Sequence, residues 1–191
     1  MKTPVLFCRS DSIYNTLPNA DPWPIERDAR HWPGGRACIA HPPCRAWGQL
    51  RTFAKPRPDE KELSLWAIAQ VRQWGGILEH PARSTLWPAV QTTRPGTRDA
   101  AGGWLLGIHQ HAFGHRAEKK TFLYIHGADP AQLPPMPYTM AEPTHVIQSR
   151  KSQACRPHTT KAEREHTPRA LALWLLDLAA IIDINAGRCP D

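Results

Sequence analysis

Two short motifs in this 191-residue chain hold residue types suited to covalent chemistry: His41-Pro42-Pro43-Cys44 and, 35 positions after Cys44, Glu79-His80-Pro81. A cysteine thiolate adds to electron-poor carbon, and carbon-6 of a pyrimidine becomes such a centre when a nearby carboxyl group protonates or hydrogen-bonds the ring nitrogen. Cys44 is thus a candidate nucleophile and Glu79 its partner at the ring. The two prolines remove backbone donors and fix φ, which stiffens the segment presenting Cys44. The thiol must be reachable and its pKa lowered, which a basic neighbour such as Arg45 can do. His41, Pro43, Arg45 and His80 are the candidate substrate contacts around the pair.

Both motifs follow short apolar runs, Ala37-Cys38-Ile39-Ala40 and Gly76-Ile77-Leu78, which read as buried strands. Between them, residues 60–74 have the period of a helix, with Asp59 as N-cap, Glu62 in a capping-box position and a stripe at Leu63, Trp66, Ala67, Gln70, Val71 and Trp74; Gly75-Gly76 ends it. A strand-helix-strand unit of this kind builds a parallel sheet. Neighbouring parallel strands would bring Cys44 and Glu79 out at the same carboxyl edge, where open α/β sheets keep their ligand crevices.

Further strands are expected at residues 5–7, 104–108 and 121–125, with an edge strand at 144–147. Residues 9–36 read as a loop with one helical turn near 25–29, and residues 128–143 as a proline-rich loop. A C-terminal helix starts with Thr167 as N-cap and Pro168 at its first helical position, and carries Leu171, Trp174, Leu175, Leu178, Ala179 and Ile182 on one stripe. The expected architecture is one α/β domain over residues 1–191, a mostly parallel sheet flanked by helices.

With 24 Lys and Arg against 17 Asp and Glu, the formal charge is +7 and the pI about 9.5, which favours a polyanionic partner such as DNA or RNA. Five scattered cysteines fit reduced thiols better than a disulfide framework. With no membrane-length apolar run and no signal-peptide pattern, the expected location is cytoplasmic. Twenty prolines and eight tryptophans point to ordered loops. Cys38-x-x-His41-x-x-Cys44, and His109-x-His111 with His115, contain zinc-ligand types. Cys38 sits in an apolar strand run, however, and structural zinc sites pair their ligands more tightly, so no metal is expected. Asp11 and Asp28 are the carboxylates placed to meet a donor or a metal.

The order of these motifs resembles that of the DNA cytosine-5 methyltransferases. In that family a Pro-Cys loop supplies the nucleophile for carbon-6 of cytosine, a Glu contacts the ring nitrogen and exocyclic amine, and a basic segment before a strand helps hold the base. Here Pro42-Pro43-Cys44, Glu79-His80-Pro81 and Arg116-Ala117-Glu118-Lys119-Lys120 before residues 121–125 correspond. The resemblance covers roughly residues 36–127 and the closing helix. It implies a trimmed, Rossmann-like methyltransferase fold and a flipped cytosine or related pyrimidine in DNA as substrate. Arg116, Lys119 or Lys120 would hold the base or phosphate, and Trp47, Phe53 or Trp87 would stack or fill the gap. A short, divergent member of this kind is what a phage would encode. The resemblance also implies S-adenosylmethionine as donor. Yet the segment after the first strand is Cys8-Arg9-Ser10-Asp11-Ser12, with no glycine before Gly34, where the family has a Gly-rich donor loop. A non-catalytic, basic DNA-binding accessory or inhibitory protein that kept the base cleft and lost the donor site is the alternative reading.

Overall fold

The computed structural model describes residues 1–92, 94–147 and 156–188. Among them, six strands form one sheet: β1 (Thr3–Leu6), β2 (Ala20–Trp23), β3 (Cys38–Ala40), β4 (Gly76–Pro81), β5 (Trp104–His109) and β6 (Lys120–His126), in spatial order β2-β1-β3-β4-β6-β5. β2, β1, β3 and β4 pair in parallel, while β6 is antiparallel to both β4 and β5. The fold is α/β, but the sheet is mixed where the sequence reading expects it mostly parallel. The connection between β5 and β6, residues 110–119, is too short for a helical crossover and folds back as an antiparallel pair.

Helix α1 (Glu60–Trp74) has the bounds its periodicity predicts, although the Asp59 side chain makes no capping bond. Two short helices follow, α2 (Leu86–Ala89) and α3 (Lys161–Glu165), and then the long α4 (Arg169–Asn185), which begins one residue later than expected, with Pro168 in the N-cap position. Period-two alternation divides the strand side chains between two helical layers. Val5, Ile39, Ile77, Leu123 and Ile125 pack with Leu171, Leu175, Leu178 and Ile182 of α4. Leu6, Cys38, Ala40, Leu78 and Tyr124 pack with Ala67, Ile68 and Val71 of α1. Each large aliphatic side chain buried this way contributes roughly 1.5–3 kcal/mol. At the joint between α1 and β4, Gly75 (φ +84) and Gly76 (φ +130) are both left-handed, and a Cβ on Gly76 would collide with the Cys38 backbone.

Strand β2 corrects the loop expected over residues 9–36. Ala20-Asp21-Pro22-Trp23 lacks strand character by composition, and Pro22 has no N–H to give. Such a segment is tolerated only at a sheet edge, which is where β2 lies. The turn expected near residue 25 is present as two short 3₁₀ segments, Ile25–Arg27 and Ala29–His31. The edge strand expected at 144–147 is reduced to a single bridge between Val146 and His158. Among the described residues no helix is long and apolar enough to cross a membrane.

Candidate functional site

β3 and β4 lie side by side in parallel, with Ala40 opposite Leu78, so the next residues of each come together: His41 just past the end of β3, and Glu79 still within β4, where it pairs with Leu123 of β6. The His41 amide donates to the Leu6 carbonyl at 3.0 Å, which carries the ladder one residue beyond β3. Pro42 and Pro43 then turn the chain, and the Cys44 carbonyl accepts from the amides of Trp47 (3.1 Å) and Gly48 (2.8 Å). Two contacts pin this loop to α1: Ser64 Oγ donates to the Pro43 carbonyl at 3.2 Å, and the Arg45 guanidinium grips the buried carboxylate of Glu60.

The loop and strand ends open onto a cleft of about 480 Å³, within the size range of small-ligand sites; Arg9, Trp23, His41, Cys44, Glu79 and Lys119 are among its lining. Four non-glycine residues of the described chain have positive φ: Phe7 (60°), Asp28 (47°), Gln91 (53°) and Lys119 (39°). Three of these four, Phe7, Asp28 and Lys119, line this cleft. Left-handed backbone in residues with a Cβ costs of order 1–3 kcal/mol and concentrates at functional sites. The strain therefore marks the same place as the chemistry-bearing side chains.

Within the cleft a chain of hydrogen bonds converges on Glu79. His41 Nδ1 donates to Glu79 Oε2 (3.2 Å), and Tyr14 Oη meets His41 Nε2 (3.1 Å). On the other side Gln110 Nε2 donates to Glu79 Oε1 (3.0 Å) and to Thr121 Oγ1 (3.0 Å), whose own proton goes to the Lys119 carbonyl (3.1 Å). Burial pushes the Glu79 carboxyl up, but the His41 bond and the Lys119 charge outweigh it and hold the group down at about 2, so Glu79 is a carboxylate. Nothing in the sequence periodicity singles out Tyr14 or Gln110; both contacts join side chains about 30 positions apart.

Cys44 is solvent-accessible, yet enclosure within the cleft, together with the negative charge of Glu79, raises its thiol above the ordinary value, with Lys119 pulling the other way. Arg45 does not supply the lowering expected of it: it lies at the cleft's rim but is spent on Glu60. Of the basic segment, only Lys119 reaches the cleft. Arg116 is paired with Glu163, and Lys120 is exposed beside Glu118. Pro43 lines the cleft. His80 does not: strand alternation turns it to the other side of the sheet, fully buried and edge-on to Trp87 at 5.8 Å, where desolvation lowers its pKa to about 4. Trp47 and Trp87 are buried, with their indole N–H groups given to the carbonyls of Lys61 and Pro81, which leaves Phe53, 84% exposed, as the free aromatic beside the Cys44 loop.

No group of three metal-ligating side chains assembles among the described residues. Cys38 points into the core, and the rings of His111 and His115 are taken by backbone carbonyls. Of the five cysteines, Cys155 and Cys189 lie outside the described residues, as do the basic Arg150 and Lys151. For S-adenosylmethionine the fit is poor. The chain leaving β1 turns at Phe7, the cleft lining contains no glycine, and the candidate carboxylates are engaged: Asp11 with Arg9, and Asp28 with Arg30. Among the described residues that line the cleft, none is a glycine that would let the backbone approach that donor closely. Comparisons with protein-family models, with curated proteins and with solved structures give no match.

Proposed function

We propose that this protein acts on DNA, using Cys44 to add to carbon-6 of a cytosine or related pyrimidine, within a sheet that resembles a trimmed methyltransferase fold. The observation that carries the reading is that the Cys44 loop after β3 and Glu79 within the adjacent parallel strand β4 open onto one cleft that also holds Lys119. In this reading Glu79 accepts an N–H from the base, and Lys119 offers its ammonium to a ring acceptor. The Cys44 thiol gives its proton to water in the open cleft, and the sulfur adds at carbon-6 as the 5,6 double bond opens. The charge that develops on the ring is stabilised by Lys119. The base must leave the stack, and in this reading the exposed Phe53, near Arg51, Lys55 and Arg57 in sequence, stacks beside the vacated position. The net charge of +7 supports a DNA partner.

A second reading has its own support. The glycine-free cleft and the thiol held in its protonated form suit a DNA-binding accessory or inhibitory protein that recognises a base without modifying it.

Isotope washout separates the two without any donor. Addition at carbon-6 makes carbon-5 protonate from water, and reversal expels Cys44 and leaves solvent hydrogen behind. Duplexes carrying 5-deuterocytosine in randomised flanks are incubated with wild type and with Cys44→Ala, then digested and weighed. Washout with wild type alone is expected. Equal, background washout with both, at DNA concentrations where binding is complete, overturns the enzyme reading and leaves the binder.

A further inference from the structure

The hydrogen-bonded chain behind Glu79 has a direction. Tyr14 is fully buried, and its hydroxyl meets only His41 Nε2 in the network described above. A buried hydroxyl keeps a partner. His41 Nδ1 faces a carboxylate oxygen, so that nitrogen carries the hydrogen, Nε2 is the acceptor in the neutral ring, and Tyr14 donates to it. On the far side, the Gln110 amide nitrogen donates both to Glu79 and to Thr121 Oγ1, while the Thr121 hydroxyl is committed to the Lys119 carbonyl. Reversing the Gln110 amide would set its oxygen against the Glu79 carboxylate. Tyr14, His41 and Gln110 thus donate toward Glu79, while the Thr121 hydroxyl only accepts from Gln110 and donates away to the Lys119 carbonyl, so Glu79 meets donors alone.

We propose that Tyr14, acting through His41, is a positioning residue that fixes Glu79 as a hydrogen-bond acceptor, so that the cleft selects a ring presenting an N–H to Glu79. This rests on the pyrimidine reading and deepens it. A cytosine meets the requirement with its 4-amino group, and a uracil or thymine with its N3–H. A ring offering only a lone pair at that position is repelled by the carboxylate. Lys119 complements this edge with a donor for the neighbouring ring acceptor. The charged and titratable groups that act on Glu79 are His41 and Lys119 within the cleft, Cys44 from its loop, Tyr14 behind His41 and, from the other face of the sheet, His80.

Nitrogen-15 NMR of histidine-labelled wild type reads the His41 tautomer directly. Hydrogen on Nδ1 is expected; hydrogen on Nε2 alone overturns the proposal whatever the ligand. In Tyr14→Phe, which keeps the ring in its apolar cluster, the Glu79 carboxyl followed by carbon-13 NMR should titrate at least one pH unit higher than in wild type. An unchanged midpoint in a folded variant also overturns it. If Tyr14→Phe fails to fold, the tautomer measurement on wild type still decides. The selection is tested with wild type alone, by comparing washout from cytosine and from N4,N4-dimethylcytosine in the same DNA. A loss of tenfold or more is expected with the dimethylated base, and equal rates overturn the selection. No washout from cytosine, with the expected tautomer and titration, would instead sink the pyrimidine reading while leaving the Tyr14–His41–Glu79 arrangement standing.

Discussion

The molecule holds two buried polar networks on opposite faces of one sheet, and they differ in completeness. Behind β5 and β6, Asp99 accepts from Arg72 (2.9 Å), from the Tyr124 hydroxyl (2.9 Å) and from the amides of Ala101 (3.0 Å) and Gly103 (3.1 Å), while Arg72 also donates to the Val90 carbonyl (2.7 Å). No atom of these side chains is a buried orphan, and Gly103 leaves no room for a Cβ against Tyr124. At the cleft, the network around Glu79 leaves Gln110 Oε1 buried without a partner, borders three residues with left-handed backbone, and opens to solvent at Cys44. A closed network stabilises. The one at the cleft borders left-handed backbone, lacks a partner for Gln110 Oε1 and is open on one side, and it is there that the proposed site lies.

The largest effect expected from breaking the contrast is on the closed side. Asp99→Ala leaves Arg72 and Tyr124 facing each other without their shared acceptor and frees two backbone amides. Removing one partner of a mostly buried pair costs about 3 kcal/mol, here about 10 °C in melting temperature. Denaturation should register this loss, while alkylation of Cys44 in the folded protein stays at the wild-type rate. A matching change in Cys44 reactivity would mean that the two networks are not independent.

Glu79→Gln is the corresponding change in the cleft and should act mainly on chemistry. Removing the negative charge that raises the Cys44 thiol increases the thiolate fraction, so iodoacetamide should modify Cys44 several-fold faster at pH 8. A rate equal to or below wild type would remove Glu79 from the surroundings of Cys44. Stability should instead diverge in acid. Glu79 is depressed to about 2 from an ordinary value near 4.3, so its contribution is complete above about 4.3 and is lost as pH falls through about 2. Between those limits wild type should lose up to about 1.4 kcal/mol per pH unit more than Glu79→Gln. Parallel pH dependences would mean that the carboxyl is not held down in the fold.

The same contrast bears on what the sequence makes legible. Helix α1 and the β3–β4 pair follow from local apolar periods bounded by glycine, and their adjacency is enough to set Cys44 and Glu79 at one edge. Strand β2 escapes because Asp21 and Pro22 are poor strand formers that an edge position permits. Arg45 and Arg116 read as free charges because their partners, Glu60 and Glu163, lie 15 and 47 positions away, beyond any local pattern. Tyr14 and Gln110 belong to no amphipathic stripe, so only the tertiary fold reveals them. Choosing Lys119 over Lys120 turns on a single residue at the start of β6, where one step moves a side chain to the other face.

The smallest effect expected separates backbone from charge at that residue. Lys119 lines the cleft with φ at 39°, and its charge lowers both Glu79 and Cys44. Lys119→Ala and Lys119→Gly remove the same ammonium, so both should slow Cys44 alkylation several-fold, by letting the thiol rise further. They differ only in the backbone. Glycine reaches left-handed φ without steric cost, whereas alanine keeps the Cβ that makes it unfavourable, so Lys119→Gly should be the more stable of the two by about 1 kcal/mol, even though glycine gives up more entropy on folding. Equal stabilities would mean that the left-handed turn is not strained and that the clustering of such residues at the cleft carries no energetic meaning. Alkylation rates differing between the two variants would mean that Lys119 acts on Cys44 through loop geometry rather than through its charge.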